Sequence, residues 1–253
     1  MIEFFTQRKF SVPTDRLPAL SGLATMAAAQ INGQYCAGLW WEDISYSICW
    51  HTNRYSPFES FRPDCYIAPS WSWASVMGRV DFPSTISSFG YTRPKSLDSV
   101  TFHDYQSILR GSNPYGEIEC AWLELEAPLA PLSKATVQHK MDSPAANRPQ
   151  YFSIVDRVSG ELLGAVFDDV NDKPVSNLFA LFMMHTGDLG SDGDNVWLSG
   201  LILRPAVEQE RIRDKYEVPK GLGFYQRVGW FSLNTRQAKE VLEVAHVTKM
   251  VLL

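Results

Sequence analysis

The alternation of hydrophobic and polar positions predicts strands over most of the second half of the chain. Between Ile118 and Leu132, apolar residues alternate with Glu119, Glu124 and Glu126, which is typical of a strand with one exposed face. Five further apolar or aromatic runs follow between residues 151 and 233, separated by Gly, Pro, Asp or Asn, and VTKMVLL is a last strand. This series of short runs predicts a β-sandwich or a barrel-like domain.

Two segments have helical patterns. Residues 14–31 are rich in Ala and Leu, begin with residues that cap helices, carry Pro18 in the first turn and end at Asn32-Gly33. Residues 235–245, TRQAKEVLEVA, form the second helical segment. The predicted fold is therefore mainly β, of the α+β class, as one domain over 1–253 with an N-terminal helix and a short helix near the C-terminus.

The region between these patterns contains aromatic runs and long polar stretches. YCAGLWWEDI and YSICWH suit the strands of a hairpin or meander. Residues 79–116 contain three prolines and many serines, and residues 133–150 are polar, so both are predicted as long surface loops.

The stretch APSWSWAS places Trp71 and Trp73 two positions apart. In a strand, both indoles and Ser75 would point to one face, with small residues on the other. Two interpretations stay open, because large aromatic side chains either fill a core or form the wall of a pocket for a flat apolar ligand.

Charge and composition exclude several classes of protein. The net charge is −5 at pH 7, which argues against a nucleic-acid-binding protein. No apolar run approaches the 18 residues of a membrane span, and the start lacks the apolar region of a signal peptide, so a cytoplasmic location is predicted. The four cysteines contain no CxxC pair and are predicted to be reduced core thiols.

The common catalytic motifs are missing from the sequence. It contains no P-loop, dinucleotide fingerprint, HExxH, GxSxG or SxxK, and its five histidines lack the spacing of metal ligands. We therefore predict no cofactor and no metal.

The candidate site residues are polar or aromatic side chains next to strand-like runs, where side chains reach pockets. Proton-transfer roles fall to His51, Tyr66, Asp168 and His185, and Arg227 or Arg204 would hold an oxyanion. The aromatic walls of a substrate pocket would be Trp40, Trp71, Trp73, Tyr225 and Trp230.

Several motifs resemble those of a known family. DRLPALSGLA, YCAGLWWEDI, APSWSWASV, LELEAPL, GLILRP and RVGWF occur in the order found after the HET domain of fungal heterokaryon-incompatibility proteins. The resemblance implies a fungal, β-rich accessory region. The chain starts where the HET domain would be finishing and lacks that domain's blocks, so the resemblance does not extend to its death-inducing activity.

Two classes of function remain open from the sequence. The first is a small-molecule-binding protein, in its finer form a cofactor-independent cyclase, isomerase or cycloaddition catalyst of fungal secondary metabolism acting on an apolar or aromatic compound. The second is a non-catalytic protein-interaction or regulatory module related to heterokaryon incompatibility. The excess of tryptophan favours the first class, and the lack of motifs favours the second. Neither the sequence nor the resemblance fixes the oligomeric state.

Overall fold

The computed structural model shows a mainly β protein with helices at its N-terminal and C-terminal ends, which confirms the predicted fold class. The structure describes residues 1–53, 60–83, 85–87, 90–132, 135–140, 151–156, 162–168, 177–186, 196–206, 221–234, 238 and 241–253.

The regular elements are short in the first third of the chain and long afterwards. The α-helices are α1 (Ile2–Phe5), α2 (Ser21–Ile31) and α3 (Ile44–Ser47), and 3₁₀ turns cover Pro13–Arg16, Pro18–Leu20, Trp41–Asp43 and Trp73–Ser75. The strands are β1 (Tyr35–Cys36), β2 (Leu39–Trp40), β3 (His51–Thr52), β4 (Val80–Asp81), β5 (Thr85–Ser87), β6 (Gly90–Thr92), β7 (Lys95–Ser96), β8 (Thr101–Leu109), β9 (Ile118–Pro131), β10 (Ala135–Lys140), β11 (Tyr151–Asp156), β12 (Leu162–Phe167), β13 (Phe179–Thr186), β14 (Trp197–Pro205), β15 (Gly223–Asn234) and β16 (His246–Leu252).

Five strands form a ring of hydrogen-bonded neighbours, in the order β9, β13, β14, β15, β16 and back to β9. Every pair in the ring is antiparallel except β15 with β16, which is parallel. An odd number of strands cannot alternate direction all the way round, so one parallel pair is required to close the ring. The result is a barrel-like arrangement.

The two longest strands each fork between two partners on one edge. Along one edge of β9, residues 118–126 pair with β8, and residues 129–131 pair with β13. Along one edge of β15, residues 223–225 pair with β16, and residues 229–232 pair with β12. β12 continues through β11 to β10, which extends the sheet beyond the ring.

Both faces of these strands are covered. Leu123, Leu125, Leu181, Leu203 and Leu252 belong to one cluster with residues of the N-terminal 80 positions. Their sequence neighbours pack in separate clusters, one of which contacts the C-terminal helical residues Val241 and Leu242. Because both faces are covered, β13 and β14 are almost continuously apolar in sequence.

The N-terminal region differs from the sequence predictions in its local structure. The helix at 14–31 is divided into two 3₁₀ turns and α2, and it ends at Asn32 in the left-handed conformation as predicted. The hairpin in YCAGLWWEDI is present as β1 and β2. The predicted strand in YSICWH is wrong at Tyr46 and Ser47, which belong to helix α3.

The strand predicted for APSWSWAS is also wrong. Trp73–Ser75 is a 3₁₀ turn, and the Ser72 hydroxyl caps it by accepting a hydrogen bond from the Ala74 N–H at 3.1 Å. Serine oxygens compete with strand ladders in this way because they offer the backbone a local partner. The two indoles are buried without the alternation of a strand.

The predicted loops contain strands. The interval 79–116 includes the nine-residue strand β8, which pairs along β9, and the interval 133–150 includes β10, which pairs with β11. The other residues of 133–150 lie outside the described part, as do 235–237 and 239–240 of the predicted C-terminal helix, in which 238 and 241–243 are helical.

Two global predictions concern thiols and membrane helices. None of the four cysteines, all of which lie in the described residues, forms a disulfide. Cys36, Cys49 and Cys120 are buried, but Cys65 is exposed and is therefore not a core thiol. In the described part of the chain, no helix has the length and apolar character needed to cross a membrane.

Candidate functional site

The fork in β15 leaves a gap in the sheet at residues 226–228, and polar side chains fill this gap. The Arg227 N–H donates to the Ser70 hydroxyl oxygen at 2.9 Å, and the Arg227 carbonyl accepts from Arg62 Nη2 at 3.1 Å. The Asp168 N–H donates to the Val228 carbonyl at 3.0 Å. Backbone groups that have no neighbouring strand are thus hydrogen-bonded all the same.

The Arg227 guanidinium is almost completely buried and has a full set of partners. Its Nε and Nη2 donate to the two oxygens of Asp168 at 2.8 and 2.9 Å. Its Nη1 donates to the Ile48 carbonyl at 2.5 Å, and Nη2 also donates to the Trp50 carbonyl. The indole of Trp50 covers one face of the guanidinium, 3.5 Å from ring centroid to Cζ.

Arg62 completes an arginine–aspartate–arginine cluster. Its Nη2 donates to Asp168 Oδ2 at 2.9 Å, and its Nη1 donates to the Ser75 hydroxyl at 2.9 Å. A buried charge needs such partners because desolvation costs several kcal/mol per ion. Every nitrogen of the Arg227 guanidinium and both carboxylate oxygens of Asp168 have a hydrogen-bond partner. The cluster thereby joins three parts of the chain.

Two tryptophans of the predicted pocket wall, Trp71 and Trp73, have core positions, as does Trp50, which was not a predicted site residue. Trp50, Trp71 and Trp73 are fully buried. Their indole N–H groups donate to the carbonyls of Trp71, Leu252 and Gly38 at 2.8, 3.3 and 2.8 Å, respectively. Of the two interpretations of the tryptophan pair, the structure shows the core.

His51 and Trp230 are the second pair of predicted site residues that the structure brings together. His51 lies on β3 and Trp230 on β15, their rings are 4.7 Å apart between centroids, and the ring planes are tilted by 34°. The indole nitrogen of Trp230 is buried and has no hydrogen-bond acceptor among the described residues.

The remaining predicted site residues lie apart from these two pairs. Trp40 packs edge-on against Tyr35 in the β1–β2 hairpin. Tyr225 packs edge-on against Phe179, and burial raises the pKa of the Tyr225 hydroxyl. His185 is on β13 at its pairing with β7, and Tyr66 is in an exposed turn. The alternative oxyanion residue, Arg204, is half-buried on β14. Among the predicted site residues, the structure brings Asp168 to Arg227 and His51 to Trp230.

Comparisons with protein-family models, curated proteins and solved structures find no match. The resemblance to the region after the HET domain therefore stays a prediction from sequence motifs, and the functional inference below depends on geometry.

Helix α2 is the second candidate functional feature, because it exposes large apolar side chains. Ala24 is its one buried residue. Met26 is 69% exposed, Leu23 45% and Ile31 44%. Leu23 and Met26 are three positions apart and therefore lie on the same face of the helix. Surfaces of this kind, in which large apolar side chains gather on one element, mark sites of interaction.

The segment that carries α2 is anchored outside the helix itself. Leu17 and Leu20 are buried just before it, and its last turn is closed by Asn32, whose N–H donates to the Ala28 carbonyl at 3.1 Å. No Asp, Glu, Lys, Arg or His occurs from Leu17 to Trp41. Helix α2 is therefore a fixed, uncharged element with an apolar outer face.

The sequence analysis missed several residues of the arginine–aspartate–arginine cluster and the apolar face of α2. Arg62 lies in a polar, proline-bearing stretch with no periodic signal, and Ser70 and Ser75 are small polar residues within APSWSWAS. Only the fold brings them next to Arg227. The apolar face of α2 could have been predicted, because the sequence has no charged residue from Leu17 to Trp41.

Proposed function

We propose that this protein is a non-catalytic interaction module that docks a partner protein on the outer face of α2. The observation that supports the proposal most directly is the exposure of Leu23 and Met26 on an uncharged helix. The core positions of Trp71 and Trp73 favour this class of function over an aromatic substrate pocket, as does the complete pairing of Arg227 with Asp168. The resemblance to the region after the HET domain supports the same class.

The chemistry of the helix selects the kind of partner. An 11-residue helix is about 16 Å long. One such helix face is too small for the roughly 800 Å² per partner that a stable dimer of two copies buries. Since α2 has no charge, the matching surface is an uncharged apolar groove that encloses the helix, the helix-in-groove mode of recognition. A membrane surface would favour a helix with Lys or Arg on its polar face, which α2 lacks.

The test uses a photo-crosslinking side chain at position 26, with position 112 as the control. Ser112 is exposed in the turn that follows β8. In extracts of the source organism, position 26 should capture a partner that position 112 does not. The partner is then purified and its affinity measured for the wild-type protein, Met26→Glu and Ser112→Glu.

The proposal predicts that Met26→Glu raises the Kd at least about tenfold, which corresponds to about 1.4 kcal/mol, and that Ser112→Glu leaves it unchanged. Unfolding curves of both variants should match the wild type because both residues are exposed. A partner that binds Met26→Glu equally well would contradict the proposal. A dimer of this chain that Met26→Glu dissociates would contradict the choice of partner.

A second candidate function is the binding of a small molecule, which the pair His51–Trp230 favours. A buried indole N–H without an acceptor is costly, about 1–3 kcal/mol, and a flat ligand with an acceptor atom would satisfy it. Saturable fluorescence of 8-anilinonaphthalene-1-sulfonate that Trp230→Ala removes and Met26→Glu preserves would support this function. Fluorescence that only Met26→Glu removes would contradict it. The finer proposal of a fungal cyclase or isomerase depends on this outcome.

We also propose a cytoplasmic location for the protein. None of the four cysteines forms a disulfide, which suits a reducing compartment. Fluorescent tagging in the source organism tests the location, and secretion of the protein would contradict it.

A further inference from the structure

Arg16 is a second fully buried arginine, and its environment is incomplete. It is the last residue of the 3₁₀ turn Pro13–Arg16, and its guanidinium lies between the rings of Phe10 and Trp73, with Cζ 5.7 and 5.4 Å from the centroids. Nη2 donates to the Gly78 carbonyl at 3.3 Å, and Nη1 lies 4.0 Å from the Met77 sulfur. Its Nε has no hydrogen-bond partner, and no carboxylate pairs with it, among the residues that the structure describes.

Arg227 shows how the same fold completes a buried guanidinium. There, an aromatic ring covers one face, carbonyls accept from two nitrogens, and a carboxylate spans Nε and Nη2. At Arg16, the rings and one carbonyl are present, and the Nε–Nη2 edge holds one long hydrogen bond. The missing component is a carboxylate, which binds that edge of an arginine with two parallel hydrogen bonds.

We propose that Arg16 is a binding site for a carboxylate supplied from outside the chain. A buried cation without an anion is strongly unfavourable, and bringing a carboxylate to it recovers that cost. Burial lowers the pKa of Arg16 to about 10, so the side chain is still charged at neutral pH. The site is independent of the proposed docking on α2.

Phe10 is the cover of this site. It is half-buried in a stretch whose neighbours Lys9, Ser11 and Val12 are exposed, between α1 and the turn that holds Arg16. Its ring contacts Phe5 at 5.2 Å between centroids, and Phe5 in turn packs edge-on against Trp73. Movement of the Phe10 side chain toward solvent would open the guanidinium without disturbing a strand or a long helix.

The first test compares the thermal midpoint of the wild-type protein with that of Arg16→Met, using sodium benzoate as the probe and sodium chloride as the control. At a benzoate concentration ten times its Kd, the wild-type midpoint should rise by about 3–6 °C relative to chloride. Arg16→Met, which loses the charge and the guanidinium hydrogen-bond donors but keeps an unbranched apolar chain, should show no such rise. An equal rise in both proteins, or none in the wild type, would overturn the proposal.

The second test supplies the carboxylate from within the chain. Met77 is buried beside Arg16, and a glutamate has nearly the same length as a methionine. Met77→Glu should have a higher midpoint than the matched variant Met77→Gln and should no longer respond to benzoate. A Met77→Glu protein that melts below Met77→Gln, or that responds to benzoate as the wild type does, would contradict the site.

The third test separates access from affinity and distinguishes the sources of the carboxylate. Phe10→Ala removes the cover and should lower the Kd for benzoate severalfold, whereas an unchanged or weaker affinity would contradict the role of Phe10. Acetyl-Gly-Glu-Gly-amide presents the same group as a protein side chain, so a stronger response to the peptide than to benzoate assigns the site to a protein-borne carboxylate, and the reverse assigns it to a small acid.

Discussion

At the scale of single residues, the fold depends on how buried charges are paired. Asp168 and Arg227 stand out in sequence as charged residues within apolar runs, but nothing in the sequence shows that they face one another 59 positions apart or that Arg62 joins them. These contacts are long-range and follow from the gap at the fork of β15. The Asp168 carboxylate is therefore shared by two guanidinium groups.

Asp168→Asn tests this pairing. The variant keeps the shape of the side chain and removes the negative charge that Arg227 and Arg62 share, so the free energy of unfolding should fall by about 3–5 kcal/mol. Asp81→Asn is the control, because its partner Arg79 is partly exposed and such pairs contribute less than about 1 kcal/mol. Urea unfolding curves measure both. Equal effects in the two variants would show that the buried cluster is not a special contributor to stability.

Thiol reactivity is a second property of individual residues. Burial raises the pKa of Cys36 and of Cys49 to about 12, whereas Cys65 is exposed. Because the thiolate is the reactive form, iodoacetamide at pH 8 should modify Cys65 faster than Cys49 by about two orders of magnitude or more. Peptide mass spectrometry of timed samples measures the rates, and modification of Cys49 as fast as Cys65 would contradict the buried position.

At the scale of elements, the stretch APSWSWAS shows why local patterns were misleading. Its large and small residues alternate as in a strand, yet its hydrogen bonds go to distant backbone groups. The Ser72 hydroxyl donates to the Ala37 carbonyl at 2.5 Å, and the Trp73 indole donates to the Gly38 carbonyl. The stretch is therefore held by the turn of the β1–β2 hairpin. No local sequence pattern indicates this long-range contact.

Gly38→Ala tests that contact. Gly38 has a φ of +98°, and a Cβ there would lie 2.8 Å from the Trp73 indole nitrogen. The strain and the clash together should destabilise the protein by about 2–4 kcal/mol. Gly22→Ala, in α2, is the matched control because its Cβ would meet nothing within 4 Å, and it should be neutral or stabilising. Thermal melts that rank the two variants in the opposite order would contradict this packing.

At the scale of the whole molecule, the sequence predicted the β-rich class and, apart from β10, the strands from Ile118 onward, because those strands are rich in apolar residues. It missed β8, whose exposed residues are polar and whose partner β9 carries half-buried glutamates. It also missed β10, which lies in a predicted loop. It also could not predict the order of strands in the ring, since closure depends on the parallel pairing of Gly223–Tyr225 with Met250–Leu252.

Removal of residues 250–253 tests the closure of the ring. The shortened chain loses the whole register between β15 and β16. Its urea unfolding should lose the single steep transition, with a smaller dependence on denaturant concentration than the full chain. A transition as steep as that of the full chain would contradict the role of this pairing.

Outside the barrel-like sheet, α2 is the exposed apolar element on which we expect a partner to dock. Hydrogen–deuterium exchange, measured with and without the purified partner, locates that contact directly. We predict slower exchange of the amides in Ser21–Ile31 when the partner is bound, and no such change with Met26→Glu at the same partner concentration. Protection elsewhere in the chain, with unchanged exchange in α2, would contradict the proposed function.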